Sequence, residues 1–296
     1  MKVLITGANG FLGYYLSQTL LSKNFTVIAT AKGQCRLPIA HKNFVYEEMD
    51  FNHPFAYDIF EKHTPEFVVH AGAMTKPDDC EKNQWNAYLV NVEGCLHVLT
   101  NAAICKSHFI LLSTDFVFDG ERGNYKEEDE RNPVNYYGKT KLEAEQAVEE
   151  YDFDWAIVRT ALVYGRSISG RDNIVTLVRK KLENNEPYQV FTDQLRTPTY
   201  VEDVAGGICL IIEKKAKGVF HVAGEDVLTP YEIACEVADY LQLNRQLIIP
   251  VTKEILQQPA IRPTKTQLDI QKAKQLLGFQ PTSFKDGLSK TFATAF

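Results

Sequence analysis

Two hydrophobic rhythms alternate along the first half of the chain. Short runs that are apolar nearly throughout, at 2–6, 25–30, 44–46, 67–70, 109–113 and 155–158, read as strands. Between them, apolar residues recur at helical spacing. Phe11, Leu12, Tyr15, Leu16 and Leu20 mark the first helix, 85–103 carries a long one, and 137–150 is a helix rich in Glu, Lys and Ala. Strands without a polar face, separated by helices, predict an α/β fold: a doubly wound parallel sheet with helices on both faces.

Beyond Tyr164 the alternation stops. Helical stretches at 173–184 and 230–242, joined by loops rich in Pro and Thr, predict a smaller C-terminal α/β domain over the carboxyl ends of the strands. The ligand crevice of such sheets lies there. The expected division is a Rossmann domain of 1–164 with about 197–222, and a substrate domain of about 165–196 with 223–296. No internal repeat or low-complexity linker interrupts it.

The first strand runs into Thr6-Gly7-Ala8-Asn9-Gly10-Phe11-Leu12-Gly13, with glycines spaced G-x-x-G-x-x-G. Glycines here allow a tight turn, close backbone approach to a pyrophosphate and close helix–sheet packing, and the helix start offers free N–H groups to phosphate. At the end of the second strand, NAD sites usually place an acid for the ribose 2′-hydroxyl. This chain has Ala29-Thr30-Ala31-Lys32-Gly33-Gln34-Cys35-Arg36, with no acid. Thr30, Lys32 and Arg36 suit a 2′-phosphate instead, so NADPH is expected ahead of NADH. Asp50-Phe51, after the third strand, is placed to meet the adenine, with a plain turn as the alternative for Asp50.

Tyr137 and Lys141 stand four apart, hence on one helix face. Of 14 tyrosines, only this one has Lys four residues later, about what chance alone would supply; its place after the fifth strand, which ends in Ser113-Thr114-Asp115, gives the pair weight. A phenol with a pKa of about 10 is a poor proton carrier at neutral pH, and a neighbouring ammonium lowers that value. Lys141 is expected to act so on Tyr137, while Thr114 donates a hydrogen bond to a substrate carbonyl oxygen.

These residues resemble the extended short-chain dehydrogenases/reductases, and among them the dTDP-4-dehydrorhamnose reductases, over nearly the whole chain. The similarity is carried by the glycine loop, by 73–81, by Ser113-Thr114-Asp115-Phe116-Val117-Phe118-Asp119-Gly120, by 125–141, by 193–205, and by Arg262-Pro263 with Leu268-Asp269. The resemblance implies Thr114, Tyr137 and Lys141 as the catalytic three. It implies a dinucleotide held by Gly7, Asn9, Gly10, Phe11, Leu12, Gly13, Thr30, Lys32, Arg36, Asp50, Phe51, Ala71, Gly72 and Ala73 together with Tyr137 and Lys141. Thr75, Thr114, Asp115, Asp193 and Arg262 would meet a nucleotide-sugar substrate, Arg262 at its diphosphate or else in a domain-linking ion pair. Asp78, Asp79 and Glu81 are expected to cap the helix that follows them. Hydride would pass to the keto carbon of a nucleotide-linked 4-keto-6-deoxysugar in dTDP-rhamnose biosynthesis.

One departure bears on substrate identity: Leu162 stands where the reductases often carry Trp. The same arrangement resembles the non-enzymatic relatives that assist methionine adenosyltransferase and bind NADP. An epimerase or dehydratase with the same three residues is a further alternative, although epimerases usually keep the acid this chain lacks after its second strand.

Charge and composition narrow the field. The net charge of −6 offers no footprint for nucleic acid. The basic cluster Lys214-Lys215-Ala216-Lys217 is expected to close a helix, with Gly218 as the stop. Six cysteines without a C-x-x-C pair are expected to be buried and free, and seven scattered histidines suggest no metal site. The longest apolar run, 208–212, is far too short for a membrane span, and the glycine at position 7 breaks any signal sequence, so the protein is expected in the cytoplasm. The family often forms homodimers; apolar positions in 85–103 would serve such an interface or the core.

Overall fold

A computed structural model describes residues 1–53, 57–168 and 170–293. The first half runs β1 (Lys2–Thr6), α1 (Phe11–Ser22), β2 (Thr26–Ala31), β3 (Phe44–Glu48), α2 (Tyr57–His63), β4 (Phe67–His70), α3 (Pro77–Lys82), α4 (Gln84–Tyr88), α5 (Gly94–Ile104), β5 (His108–Thr114), α6 (Tyr136–Glu149) and β6 (Trp155–Thr160). The second half runs β7 (Val163–Tyr164), α7 (Ile174–Glu183), β8 (Tyr188–Phe191), β9 (Thr199–Tyr200), α8 (Val201–Lys214), β10 (Gly218–His221), α9 (Pro230–Leu241), β11 (Ile248–Val251) and α10 (Phe284–Phe292).

Seven strands form one sheet in the order β3-β2-β1-β4-β5-β6-β10, and every neighbouring pair is parallel. The doubly wound parallel sheet read from the periodicity is thus present. The chain order reverses between β1 and β4, which opens a crevice above their carboxyl ends. One apolar cluster packs α1 and α8 on one face of the sheet; the other packs α5 and α6 on the opposite face. The first continues without a break through Tyr164 and Tyr200 to α7, α9 and α10, so the C-terminal elements share their core with the sheet. Small parallel pairs, β8–β11 and β7–β9, complete that layer. Among the described residues no helix is long and apolar enough to cross a membrane.

Three local expectations are corrected. The stretch 85–103 is not one regular helix, because Leu89–Glu93 widens into a π-helical turn between α4 and α5. That turn holds Asn91, a polar residue buried inside an apolar stripe, where Met74 and Thr140 satisfy its amide. Gly218 does not stop α8: Lys215 takes the left-handed position at φ 49°, and Gly218 opens β10, a strand the periodicity did not announce. All six cysteines are free, but Cys35 is exposed and Cys105 half-buried rather than buried.

Candidate active site

The glycine turn is dictated by contact as much as by torsion. Gly7 has φ +67°, and a Cβ on it would stand 2.7 Å from the Cα of Gly72, just beyond β4. A Cβ on Gly13 would fall 2.1 Å from the carbonyl oxygen of Ala8, so α1 presses directly on the turn. Gly10 caps α1 without a side-chain hydrogen bond, and the first turn carries no acid. Its N–H groups and the positive end of the helix dipole are therefore available to an anion.

From this loop a cleft of about 730 Å³ extends across the ends of β4, β5 and β6. Gly7, Asn9, Gly10, Phe11, Leu12 and Gly13 line it, then Phe51, Ala71, Gly72 and Ala73, then Thr114, Tyr137 and Lys141. Thr75, Asp115 and Arg262 also face it, with Lys32 and Arg36 beside the loop. A continuous concave site with an anion-ready helix start at one end fits an extended diphosphate ligand such as a dinucleotide. The Asn9 side chain organises the adjoining loop: its amide donates to Gln34 O (2.9 Å) and Tyr46 Oη (3.1 Å), and its oxygen accepts from Arg36 N (2.9 Å).

The structure brings the candidate proton-transfer groups together through backbone packing. Asn135 caps α6 by accepting from Gly138 N (2.9 Å). A Cβ on Gly138 would lie 2.2 Å from Phe116 O, so glycine lets the first turn of α6 rest against the segment after Thr114. Thr114 accepts from Phe116 N (3.2 Å) and donates to Asp115 Oδ1 (3.1 Å). Tyr137 and Lys141 are both buried. Burial pushes the Tyr137 phenol above its usual range, and a hydrogen bond with Thr114 opposes this only in part. Desolvation outweighs the neighbouring polar groups, and Lys141 is not among the charges that offset it. Burial likewise pushes the Lys141 ammonium down, against the pull of Cys95 and Glu145. Under the site, burial and then Lys141 push His70 down to about 3, which keeps it neutral, and its Nδ1 is hydrogen-bonded to Thr6 Oγ1 (2.8 Å).

Behind Thr114 lies a buried charge cluster. Glu145, one turn after Lys141, accepts from Ser113 Oγ, from Arg131 Nη1 (3.0 Å) and from Arg159 Nε (3.0 Å) and Nη2 (2.8 Å). It joins α6 to β5 and β6 at the level of the cleft.

Several expected ligand residues lie elsewhere. Thr30 is fully buried, donates to Ile5 O (3.0 Å) and does not face the cleft. Asp50 is outside it too, pairing with Lys32 (3.0 Å) and accepting from Asn52 N (3.1 Å), so the turn reading holds for it. Lys32 is consequently already held by a carboxylate. Asp193 also lies outside the cleft and accepts from Lys253 N (2.9 Å). None of the three acids after β4 caps α3, whose N-cap is Lys76 followed by Pro77. Asp78 instead binds Arg262 (2.9 Å) and Ala260 N (3.1 Å), and Glu81 accepts from Tyr136 N (3.0 Å). Arg262 thus both faces the cleft and forms the ion pair that was its other reading.

Arg171, Arg196 and Asn173 line the cleft and were not singled out in the sequence. Arg171 donates to Thr75 Oγ1 (3.1 Å) across the opening. Arg196 sits in the segment 193–205 that carried the resemblance, the lone cation in it, which was the available signal.

The sequence matches the RmlD substrate binding domain family over residues 1–295. The beta subunit of methionine adenosyltransferase 2 from Bos taurus is 32% identical over 296 residues, covering 98% of this chain and 86% of that protein. A dTDP-4-dehydrorhamnose reductase structure from Clostridium acetobutylicum superposes with a TM-score of 0.86 at 29% identity, covering 98% of each chain. Another reductase of that name, from Bacillus anthracis in complex with NADP, gives 0.85 at 27% identity, again over 98% of each.

Proposed function

The chain belongs to the RmlD substrate binding domain family, and from that premise we propose that it is an NADPH-dependent reductase of a nucleotide-linked 4-keto-6-deoxysugar. The observation that carries the reading is the presence of Thr114, Tyr137 and Lys141 in the same cleft as the anion-ready glycine loop. The loop and the α1 N-terminus would hold the dinucleotide diphosphate, and Arg36 the 2′-phosphate. When bound, the nicotinamide supplies hydride to the keto carbon. Tyr137 supplies the proton to the oxygen, and its raised pKa suits that direction, since the phenol keeps its proton until an alkoxide develops. Thr114 donates a hydrogen bond to the same oxygen, and the Lys141 ammonium offsets the phenolate that the transfer leaves behind.

A second reading, a dinucleotide-binding subunit without turnover, is favoured by the similarity to the methionine adenosyltransferase beta subunit. The deciding experiment is loss of 340 nm absorbance with NADPH and nucleotide-linked 4-keto-6-deoxy-L-mannose. Oxidation abolished by Thr114→Val supports the reductase. Tight NADPH binding with no oxidation supports the subunit.

Cofactor choice can be probed separately. Arg36→Ala is expected to weaken NADPH roughly tenfold or more while leaving NADH nearly unchanged, through loss of a charge-assisted contact. Lys32→Ala should cost less, because Asp50 already engages that ammonium. Equal losses for NADPH and NADH in binding titrations would place the 2′-phosphate contact elsewhere.

A further inference from the structure

The stretch from Pro263 to Thr266 is a strap that follows Arg262 at the cleft wall and packs behind the candidate site. Lys265 N donates to Gly120 O (2.9 Å), Leu195 N to Thr264 O (2.7 Å) and Thr266 N to Leu195 O (3.3 Å). The buried Arg196 fastens it again, donating to Pro263 O (2.8 Å), to Thr264 O (3.2 Å) and, at 3.5 Å, to Thr266 Oγ1. Thr266 is itself fully buried, and its hydroxyl donates to Asp115 Oδ2. The other oxygen of Asp115 takes the hydroxyl hydrogen of Thr114.

A hydroxyl has a single hydrogen to give. While Asp115 is ionised it accepts that hydrogen, which is then withheld from any oxygen in the cleft. With a proton on Asp115, the carboxyl donates toward Thr114 Oγ1. The two lone pairs of Oγ1 then accept from Asp115 and from Phe116 N, so Thr114 no longer accepts from Tyr137, and its hydrogen turns to the cleft side, where the Tyr137 hydroxyl lies. The proton stays on Asp115, and no covalent bond is made or broken apart from that protonation.

We propose that Thr266 is a positioning residue which, through Asp115, sets the direction of the Thr114 hydroxyl hydrogen. The proposal deepens the reductase reading and rests on it for its effect on turnover. The groups facing Asp115 are Arg196 from the segment before β9, Tyr137 from α6, and the hydroxyls of Thr114 and Thr266; Arg262 and Asp193 are the charges that act on Arg196 in turn. Burial raises the Asp115 carboxyl above its ordinary range, while Arg196 and the two hydroxyl donors pull it back. Removing the Thr266 donor takes away a stabiliser of the charged form, so the carboxyl moves further up.

The test compares Thr266→Val, which keeps the shape without the donor, with Thr266→Ser, which keeps the donor. Two readouts are needed. One is the pH midpoint of the Asp115 carboxyl infrared band, assigned by its absence in Asp115→Asn. The other is the pH profile of kcat. In Thr266→Val the midpoint should rise by roughly half a unit to one unit. The fall of kcat with rising pH should begin correspondingly later, with KM for NADPH unmoved, and Thr266→Ser should restore both. An unmoved midpoint overturns the proposal, as does a shifted midpoint with an unmoved kcat profile. A wild-type protein without turnover whose midpoint still shifts would retire the reductase reading and support the hold of Thr266 on Asp115.

Discussion

Replacing Tyr137 by Phe is expected to lower NADPH-dependent turnover by at least about 10², the usual contribution of a positioned proton donor. Affinity for NADPH should stay within a few-fold of wild type. The substitution removes one oxygen and keeps the ring, which packs against Phe116 at 6.0 Å between centroids and against Cys80 and Met74. The phenyl ring that remains lines the same cleft and has no proton to give. A loss confined to kcat, with KM for NADPH unchanged, would identify an interaction realised in the transition state. Unchanged turnover would take Tyr137 out of its role, and a parallel loss of NADPH affinity would mean that the cleft itself had changed.

The second large effect is expected in stability. Arg159 is 1% exposed and Glu145 fully buried, and they meet at 2.8 Å. Glu145→Ala would remove the carboxylate hydrogen-bonded to the Arg159 guanidinium, leaving it the hydrogen bond to Glu127 O, the neutral ring of His221 and the face of Phe118. Burial, then Arg159, push His221 down to about 3, so the ring stays neutral and supplies no charge to compensate the guanidinium. Breaking a buried pair from one side typically costs about 3–5 kcal/mol. For a chain of this size that lowers Tm on the order of 10 °C. Replacing both partners by apolar residues of similar volume should recover much of the loss. If thermal unfolding shows the double variant to be as damaged as Glu145→Ala, the cost comes from packing and the charge argument fails. The cluster also holds Ser113 beside Thr114, so turnover per folded molecule should fall with stability in the single variant.

Legibility differed sharply between kinds of residue. The strands of the first half were readable because a parallel strand is covered on both faces, and continuous apolar runs are the direct result. The glycine loop was readable because torsion and close contact at Gly7 and Gly13 leave no other residue type. Thr114, Tyr137 and Lys141 could be gathered from helix periodicity and from their place after β5. Thr30, Asp50 and Asp193 were misplaced for one common reason: each has a polar partner close in space that the local sequence does not reveal. Ile5 is 25 residues before Thr30 and Lys253 is 60 residues after Asp193. The π-helical turn at Leu89–Glu93 was hidden likewise, since its buried Asn91 is satisfied by Met74 and by Thr140, which lies 49 residues away.

By itself, then, the sequence determined the alternating architecture, the anion-ready turn and the set of candidate proton-transfer residues at the end of β5 and the start of α6, all of which depend on torsion, periodicity and side-chain character within a few residues. Only the tertiary structure decided that Lys32 is held by Asp50, that Arg262 is paired with Asp78, that burial raises rather than lowers the Tyr137 phenol, and that Thr266 reaches Asp115 across 151 positions. Desolvation and hydrogen-bond partnership are properties of assembled surroundings. No stretch of chain carries them until the strands and the strap are brought together.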